Sequence, residues 1–237
     1  MIKINNLKLL FYRSFFFTFI FMKNKAIILI LVLITSCSKA QVSEKQKLII
    51  NSDPILVNTE DVHRAYFASG CFWCVEAIYE SIIGVNEVVS GYSGGFTSNP
   101  TYEVVNTQTT GHAETIEVIY NPKIITFSQL VEVYFGTQNI EQINGQGPDT
   151  GTQYRSIIFY QNQEQKKVID EKIKEIKDSF KINVAAKPYP FLKFWKAEKY
   201  HQDFKRNNKN NRYIINVSDP RFKRFKYKFS EIIDQNQ

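Results

Sequence analysis

The chain has 237 residues, 43% hydrophobic and 22% charged, which suits a globular protein large enough to bury a core without disulfide staples. Its net charge of +7 is uneven: residues 1–36 hold Lys3, Lys8, Arg13, Lys23 and Lys25 and no acid, and residues 193–228 hold 12 basic against 3 acidic side chains. The remainder is net acidic, which excludes a uniformly basic nucleic-acid binder, and three cysteines are too few for a secreted disulfide framework.

Residues 26–34 read AIILILVLI and follow Lys23 and Lys25. Nine apolar residues match a signal-peptide core and fall short of the roughly 20 that span a bilayer. Ile34-Thr35-Ser36-Cys37 follows and resembles the lipobox of bacterial lipoproteins, which implies cleavage before Cys37 and acylation of its thiol. The alternative is an uncleaved anchor with an incidental cysteine. Met22 opens a complete signal peptide of its own, so residues 1–21 read as an upstream start. Residues 1–36 are thus expected to be a signal peptide. Residues 37–63, polar and without apolar periodicity, are expected to be a lipidated tether.

From residue 64 the pattern becomes that of a folded domain. Residues 65–68 (AYFA), bounded by Gly70, predict a buried strand, residues 71–81 a helix and residues 85–92 a second strand, together a βαβ unit. Ser93-Gly94-Gly95 and Asn99-Pro100 mark a loop, and residues 114–120 alternate as a third strand. Thr126 with Gln129 resembles a capping box, and Phe127, Leu130, Val131, Tyr134 and Phe135 then share one helix face. Residues 145–151 predict a loop, 154–160 a strand, Ile169, Ile173, Ile176 and Phe180 an amphipathic helix, and 182–186 a further strand. This order predicts an α+β, two-layer sandwich with a mixed sheet, of the ferredoxin-like or α-β plait type. The domain is expected over residues 64–205, with residues 206–237 as a basic C-terminal tail, either a solvated face or a contact for anionic lipid.

Gly70-Cys71-Phe72-Trp73-Cys74 is the most informative stretch. Cys71 falls at a strand-to-helix junction, where spare backbone N–H groups and the helix dipole favour a thiolate. Cys74 lies one turn on, on the same face and within reach of a disulfide. Taken alone, C-x-x-C fits a redox pair, half a zinc site or two buried cysteines, and the only histidines for zinc are His63, His112 and His201, scattered along the chain.

The stretch is similar to the signature of the A-type peptide methionine sulfoxide reductases. The resemblance continues through GYSGG at 91–95, NPTYEVV at 99–105, GHAETIEV at 111–118, GTQYRS at 151–156 and AEKYHQDF at 197–204. It implies that Cys71 is the nucleophile and that Phe72 and Trp73 wall the pocket for the S-methyl group. It implies that Glu114 is the acid at the sulfoxide oxygen, a role that needs a buried, protonated carboxyl. Tyr102 and Tyr154 match phenols that donate to the same oxygen, and Asp149 an acid that positions substrate or water. Attack on sulfur would release methionine and leave a sulfenic acid on Cys71, and Cys74 would close a disulfide for reduction by a thioredoxin-like protein or dithiol, with no bound cofactor and no metal. Each of these residues also has a plainer reading: Glu114 as a strand carboxylate facing water, the tyrosines as half-buried aromatics, Asp149 as turn chemistry, and His112 and His201 as structural hydrogen-bonders.

Many family members carry Gly at the position of Cys74 and a resolving cysteine near the C-terminus, where this chain has none, so Cys74 is the expected resolver unless Cys37 stays unacylated. Members also commonly read His-Asp-Pro where this chain has Gln138-Asn139-Ile140, and Asn-Arg-Gln-Gly where it has Asn144-Gly145-Gln146-Gly147. Both departures flank Asp149. The expected protein is a monomeric repair enzyme acting on oxidised proteins, anchored by lipid to a periplasm-facing membrane of a bacterial envelope and binding no nucleic acid. A general dithiol–disulfide oxidoreductase and a non-catalytic methionine-binding lipoprotein are the rivals.

Overall fold

The computed structural model describes residues 44–60 and 62–234, so the expectations for the signal peptide and for Cys37 lie outside the described residues. The elements are β1 (His63–Ala68), α1 (Phe72–Glu80), β2 (Val85–Ser93), α2 (Tyr102–Asn106), β3 (Ala113–Tyr120), α3 (Phe127–Gly136), β4 (Gly145–Gln146), β5 (Asp149–Thr150) and β6 (Ile157–Tyr160). There follow α4 (Gln163–Phe180), β7 (Lys187–Pro190), β8 (Phe194–Lys196), α5 (Phe204–Asn207) and α6 (Asp219–Lys228).

Six strands form one sheet in the order β7-β6-β1-β3-β2-β8, and β4 pairs with β5 in a separate hairpin. β3 runs antiparallel to both β1 and β2, so β1-α1-β2 is a split βαβ unit with β3 inserted. With β6 antiparallel to β1, the inner four strands and the connections through α1 and α3 make the expected plait, and β7, parallel to β6, makes the sheet mixed.

The period of two along β1 divides the core. Ala65 and Phe67 face α1 and α3, where Phe67 packs on Tyr79 and Tyr134, while Tyr66 and Ala68 face a smaller cluster with Phe159, Tyr189 and Phe191. The capping box forms as expected: the Gln129 N–H donates to Thr126 Oγ1 at 3.2 Å and the Thr126 N–H to Gln129 Oε1 at 2.9 Å.

Five expectations need correction. Residues 45–60 are not a free tether, because Ile50 and Val57 pack on the smaller cluster, the Ile55 N–H donates to the Phe191 carbonyl at 2.7 Å and the Val57 N–H to Gln161 Oε1 at 2.9 Å. Two isolated apolar residues and an amide bond leave no periodic trace. The strand expected at 182–186 is instead β7, which contains Pro188 and Pro190. Only an edge strand tolerates them, since each lacks the N–H an inner ladder requires. Phe180 is exposed because α4 ends at Lys181, which adopts φ 56° and turns the chain away. Tyr154 belongs to a 3-10 turn over Thr152–Tyr154 rather than to a strand, and β6 begins only at Ile157.

The basic tail is the largest of these differences. Ile214, Arg221 and Phe225 are buried, the Ile83 N–H donates to the Ile232 carbonyl at 2.8 Å, and the Asp234 N–H to the Ser81 carbonyl at 2.9 Å. Residues 206–234 therefore pack against α1 and α3. Lys223, Arg224, Lys226 and Lys228 lie on the outer face of α6, so its positive charge is the solvated side of an amphipathic helix.

Candidate active site

Gly70 takes φ +83°, a left-handed conformation suited to glycine, and turns β1 into α1. A Cβ there would lie 2.5 Å from Gln146 Cβ, so the same residue lets the β4–β5 hairpin close against the helix start. Cys71 is the N-cap of α1, and Cys74 follows one turn on. Both are free thiols, 7% and 2% exposed.

Register brings Glu114 to this point. It stands on β3 opposite Tyr92 of β2, is 2% exposed, and its Oε2 accepts from the Phe72 N–H at 3.0 Å. Burial lifts its carboxyl to about 8; the Phe72 N–H opposes that shift, and the charges of Asp149 and Cys74 add to it. The plainer reading of Glu114 as a strand carboxylate facing water is therefore wrong.

The spare helix N–H expected to hold a Cys71 thiolate is thus engaged by Glu114. Burial pushes the Cys71 thiol up, with Cys74 and Glu114 adding to the shift. Cys74 moves down to about 6, because the Cys71 thiol donates to it and the Arg221 guanidinium favours its charge. Burial and the hydrogen bond between the two thiols thus favour the proton on Cys71 and the charge on Cys74.

Tyr102 begins α2, with its N–H donating to Glu198 Oε1 at 2.9 Å, and the Tyr92 hydroxyl donates to Glu198 Oε2 at 2.9 Å. Burial raises the Tyr102 phenol, and the charges of Glu114 and Cys71 add to the shift. Tyr154 is raised in the same way by burial, then by Glu114, Tyr102, Cys71 and Asp149. The two phenols, two carboxyls and Cys71 therefore lie within one electrostatic cluster.

Asp149 sits on β5, paired across the hairpin with Gln146. The unusual loop residues lock this hairpin in place. Gln146 accepts from the Asn139 N–H at 2.8 Å and donates to the Asn139 carbonyl at 3.1 Å, and Gln138 Oε1 accepts from Gln146 at 3.2 Å and from Ser156 at 2.9 Å. The Gln138 and Gln146 side-chain amides and the Asn139 backbone thus satisfy one another.

Of the two aromatics, Phe72 is 1% exposed and packs against His201 and Tyr92, so it belongs to the core beneath the site. Trp73 is the half-open wall. Its Nε1–H donates to His201 Nδ1 at 3.0 Å, its face stacks on Phe204 at 3.7 Å and 9°, and Tyr213 meets it edge-on at 5.9 Å. A Trp N–H can only donate, so His201 is neutral with its proton on Nε2, and burial lowers its pKa accordingly. His112 is structural as well, accepting at Nδ1 from the Gly95 N–H at 3.2 Å and meeting the Thr97 carbonyl at 2.8 Å.

Sequence reasoning missed Tyr213 and Arg221. The Tyr213 hydroxyl donates to Asp149 Oδ2 at 2.5 Å and lies 3.8 Å from Cys74 Sγ. Arg221 donates to the Thr137 and Ser69 carbonyls at 2.8 and 3.0 Å. Neither residue falls within a chemical motif, and only the packing of the C-terminal segment brings them here. Glu198, His201 and Phe204 had a signal, since all three lie in AEKYHQDF. Among the described residues, no group of three His, Cys, Asp or Glu side chains is placed to hold a metal ion.

Comparison with known proteins agrees with this arrangement. The family model "Peptide methionine sulfoxide reductase" matches residues 63–233, which takes in most of the segment read as a tail. A peptide methionine sulfoxide reductase MsrA of Pasteurella multocida is 43% identical over 71% of this chain and 97% of its own length. One from Saccharolobus solfataricus is 44% identical over 68% and 91%. Among solved structures, reduced Mxr1 from Saccharomyces cerevisiae superposes with a TM-score of 0.61 at 29% identity, covering 68% of this chain and 94% of that one. The cysteine at the helix start, the buried carboxyl beside it and the extent of these matches lead to one conclusion: this chain belongs to the peptide methionine sulfoxide reductases, A type.

Proposed function

We propose that the chain reduces the S epimer of methionine sulfoxide in proteins through Cys71, with Cys74 resolving the product and a thioredoxin-like dithiol restoring the pair. The supporting observation is the protonated Glu114 fixed beside Cys71 by the first N–H of α1. With Oε2 accepting that N–H, Oε1 carries the proton toward the sulfoxide oxygen. Cys71 sulfur attacks the substrate sulfur and passes its own proton to the Cys74 thiolate. The sulfoxide oxygen takes the Glu114 proton, and Tyr102 and Tyr154 donate to it as charge leaves the sulfur–oxygen bond. Oxygen ends on Cys71 as a sulfenic acid, methionine leaves reduced by two electrons, and Cys74 then closes the disulfide with loss of water. Trp73, over Phe72, receives the S-methyl group.

The N-terminal reading completes the proposal. Cys37 carries lipid and holds a monomeric domain on a periplasm-facing membrane of a bacterial envelope. No helix of the described residues is long and apolar enough to cross a membrane. Incubation with dithiothreitol and each epimer of a peptide methionine sulfoxide is the direct test. Methionine should form from the S epimer alone and not at all with Cys71→Ser. Fatty-acid labelling that is lost in Cys37→Ala should accompany it. Turnover of a protein disulfide without turnover of sulfoxide would favour the general oxidoreductase.

A further inference from the structure

We propose that Tyr213 is a proton relay for the resolving half-reaction, carrying the Cys74 thiol proton to Asp149 as the disulfide closes. This rests on the function proposed above, in which sulfoxide reduction leaves Cys74 protonated. While Cys71 is a thiol it donates to Cys74; once Cys71 becomes a sulfenic acid that donor is gone, and Cys74 must lose its proton before it can attack. Cys71, Tyr213, Ser218 and Arg221 are the polar groups that face it. Arg221 cannot accept a proton. Tyr213 can: its hydroxyl lies 3.8 Å from Cys74 Sγ, where it can accept once Cys74 is protonated, and it donates to Asp149 Oδ2 at 2.5 Å. Cys74, Tyr213 and Asp149 all line one cleft of about 1130 Å³, whose further wall is α6.

The step balances. As the Cys74 proton moves to Tyr213, the Tyr213 proton moves to Asp149, so the phenol never ionises. The Cys74 electron pair forms the S–S bond while the S–O bond of the sulfenic acid breaks. The leaving hydroxyl takes a proton from the Asp149–Glu114 pair and departs as water. Over the whole cycle Cys71 and Cys74 give up two electrons to the substrate sulfur, and the oxygen that arrived with the substrate leaves in that water. Tyr213 also meets Trp73 edge-on, but that contact uses the ring and not the hydroxyl.

The test separates the hydroxyl from the ring. Tyr213→Phe keeps the edge contact and removes the relay. After one equivalent of sulfoxide without reductant, methionine release and the loss of titratable thiols are followed in the same rapid-mixing run. Closure should slow by about 10²-fold more than methionine release, the lower end of an acid–base contribution. The Cys71 sulfenic acid should accumulate and be trapped by a 1,3-dione probe. The wild-type closure rate should be flat through neutral pH, and that of Tyr213→Phe should climb with pH as hydroxide replaces the relay. Closure within about threefold of wild type, well under that range, would overturn the proposal. So would closure and methionine release falling by one common factor, the mark of a structural role. Forming the sulfenic acid with hydrogen peroxide instead reads closure even if no sulfoxide is reduced, so failure of the relay is distinguishable from failure of the proposed activity.

Discussion

Two regions build this site in different ways. The helix start and β3, residues 70–76 and 112–118, supply the groups to which the proposed chemistry falls, each at a position fixed by local geometry: Cys71 by the cap, Glu114 by strand register. The segment from Glu198 to Asp234 supplies what holds those groups: Glu198 on Tyr102, His201 and Phe204 on Trp73, Tyr213 on Asp149, and Arg221 beside Cys74. Reactive groups need a specific residue type at a specific spacing, so they read as motifs. Supporting groups need only reach the right place, so a tyrosine among basic residues reads as surface. A perturbation of the first region should therefore change the rate, and one of the second should change affinity, pH dependence or stability first.

The largest expected effect belongs to Glu114. Glu114→Ala removes the positioned acid and should lower single-turnover methionine formation by about 10²–10⁴-fold. Wild-type rate should fall as pH rises past about 8, because the buried carboxyl then loses the proton it must donate. Glu114→Gln keeps an amide donor of similar shape, so it should recover part of the rate and flatten that alkaline limb. A limb that persists unchanged in Glu114→Gln would assign it to another group and break the contrast between chemical and supporting regions.

The same contrast explains what could be read in advance. The plait was legible because β1, β3, α1 and α3 each bury a regular face, and Phe127, Leu130, Val131 and Tyr134 do mark the inner side of α3. The segment over 45–60 and β7 were not, because the first is held by isolated bonds such as Val57 to Gln161 and the second is an edge strand carrying two prolines. Within the site, Cys71 and Glu114 were legible as residues, but their charges were not. The sequence suggested a thiolate at Cys71, whereas burial and the engagement of Phe72 N–H by Glu114 disfavour charge there and favour it on Cys74. Electrostatics of a buried pair depends on what surrounds it, and here Arg221, 147 residues beyond Cys74 in the chain, is part of that surrounding (about a full domain length).

Glu76 tests the seam between the two regions and should give an intermediate effect. It lies on α1, is 1% exposed, and burial lifts its carboxyl to about 8, with the charges of Glu80 and Asp203 adding to the shift. An unfolded Glu releases its proton near the ordinary value of 4.5, whereas the folded chain keeps it to about 8. Between those values the native state binds more protons than the unfolded state, so stability must fall as pH rises and level off above about 8. The slope from one such group is at most about 1.4 kcal/mol per pH unit. Glu76→Gln removes it. The variant should melt close to wild type at pH 5, and a stability advantage should open by pH 9. A melting-temperature difference that stays constant from pH 5 to pH 9 would mean that Glu76 is not the group being titrated.

The smallest effect, and the one that most sharpens the comparison, is expected at Phe204. The ring stacks flat on Trp73 and touches no reacting group, while the His201 bond fixes only one edge of the indole. Loss of the stack leaves Trp73 free to tilt about that bond, so the apolar wall for the S-methyl group is no longer held ready. An aromatic pair of this kind contributes about 0.5–1.5 kcal/mol beyond the area it buries. Phe204→Ala should therefore raise KM for a sulfoxide peptide by about 3–10-fold and lower thermal stability modestly, with kcat nearly constant, since the interaction serves bound substrate and transition state alike. Phe204→Leu retains bulk but not a planar face, and should fall between the two. Indole fluorescence would report the tilt directly, through a broader or shifted Trp73 emission, with Trp195 as the constant background. If kcat falls instead while KM stays put, Phe204 acts on the chemistry, and the division between reacting helix start and supporting C-terminal segment does not hold at this wall.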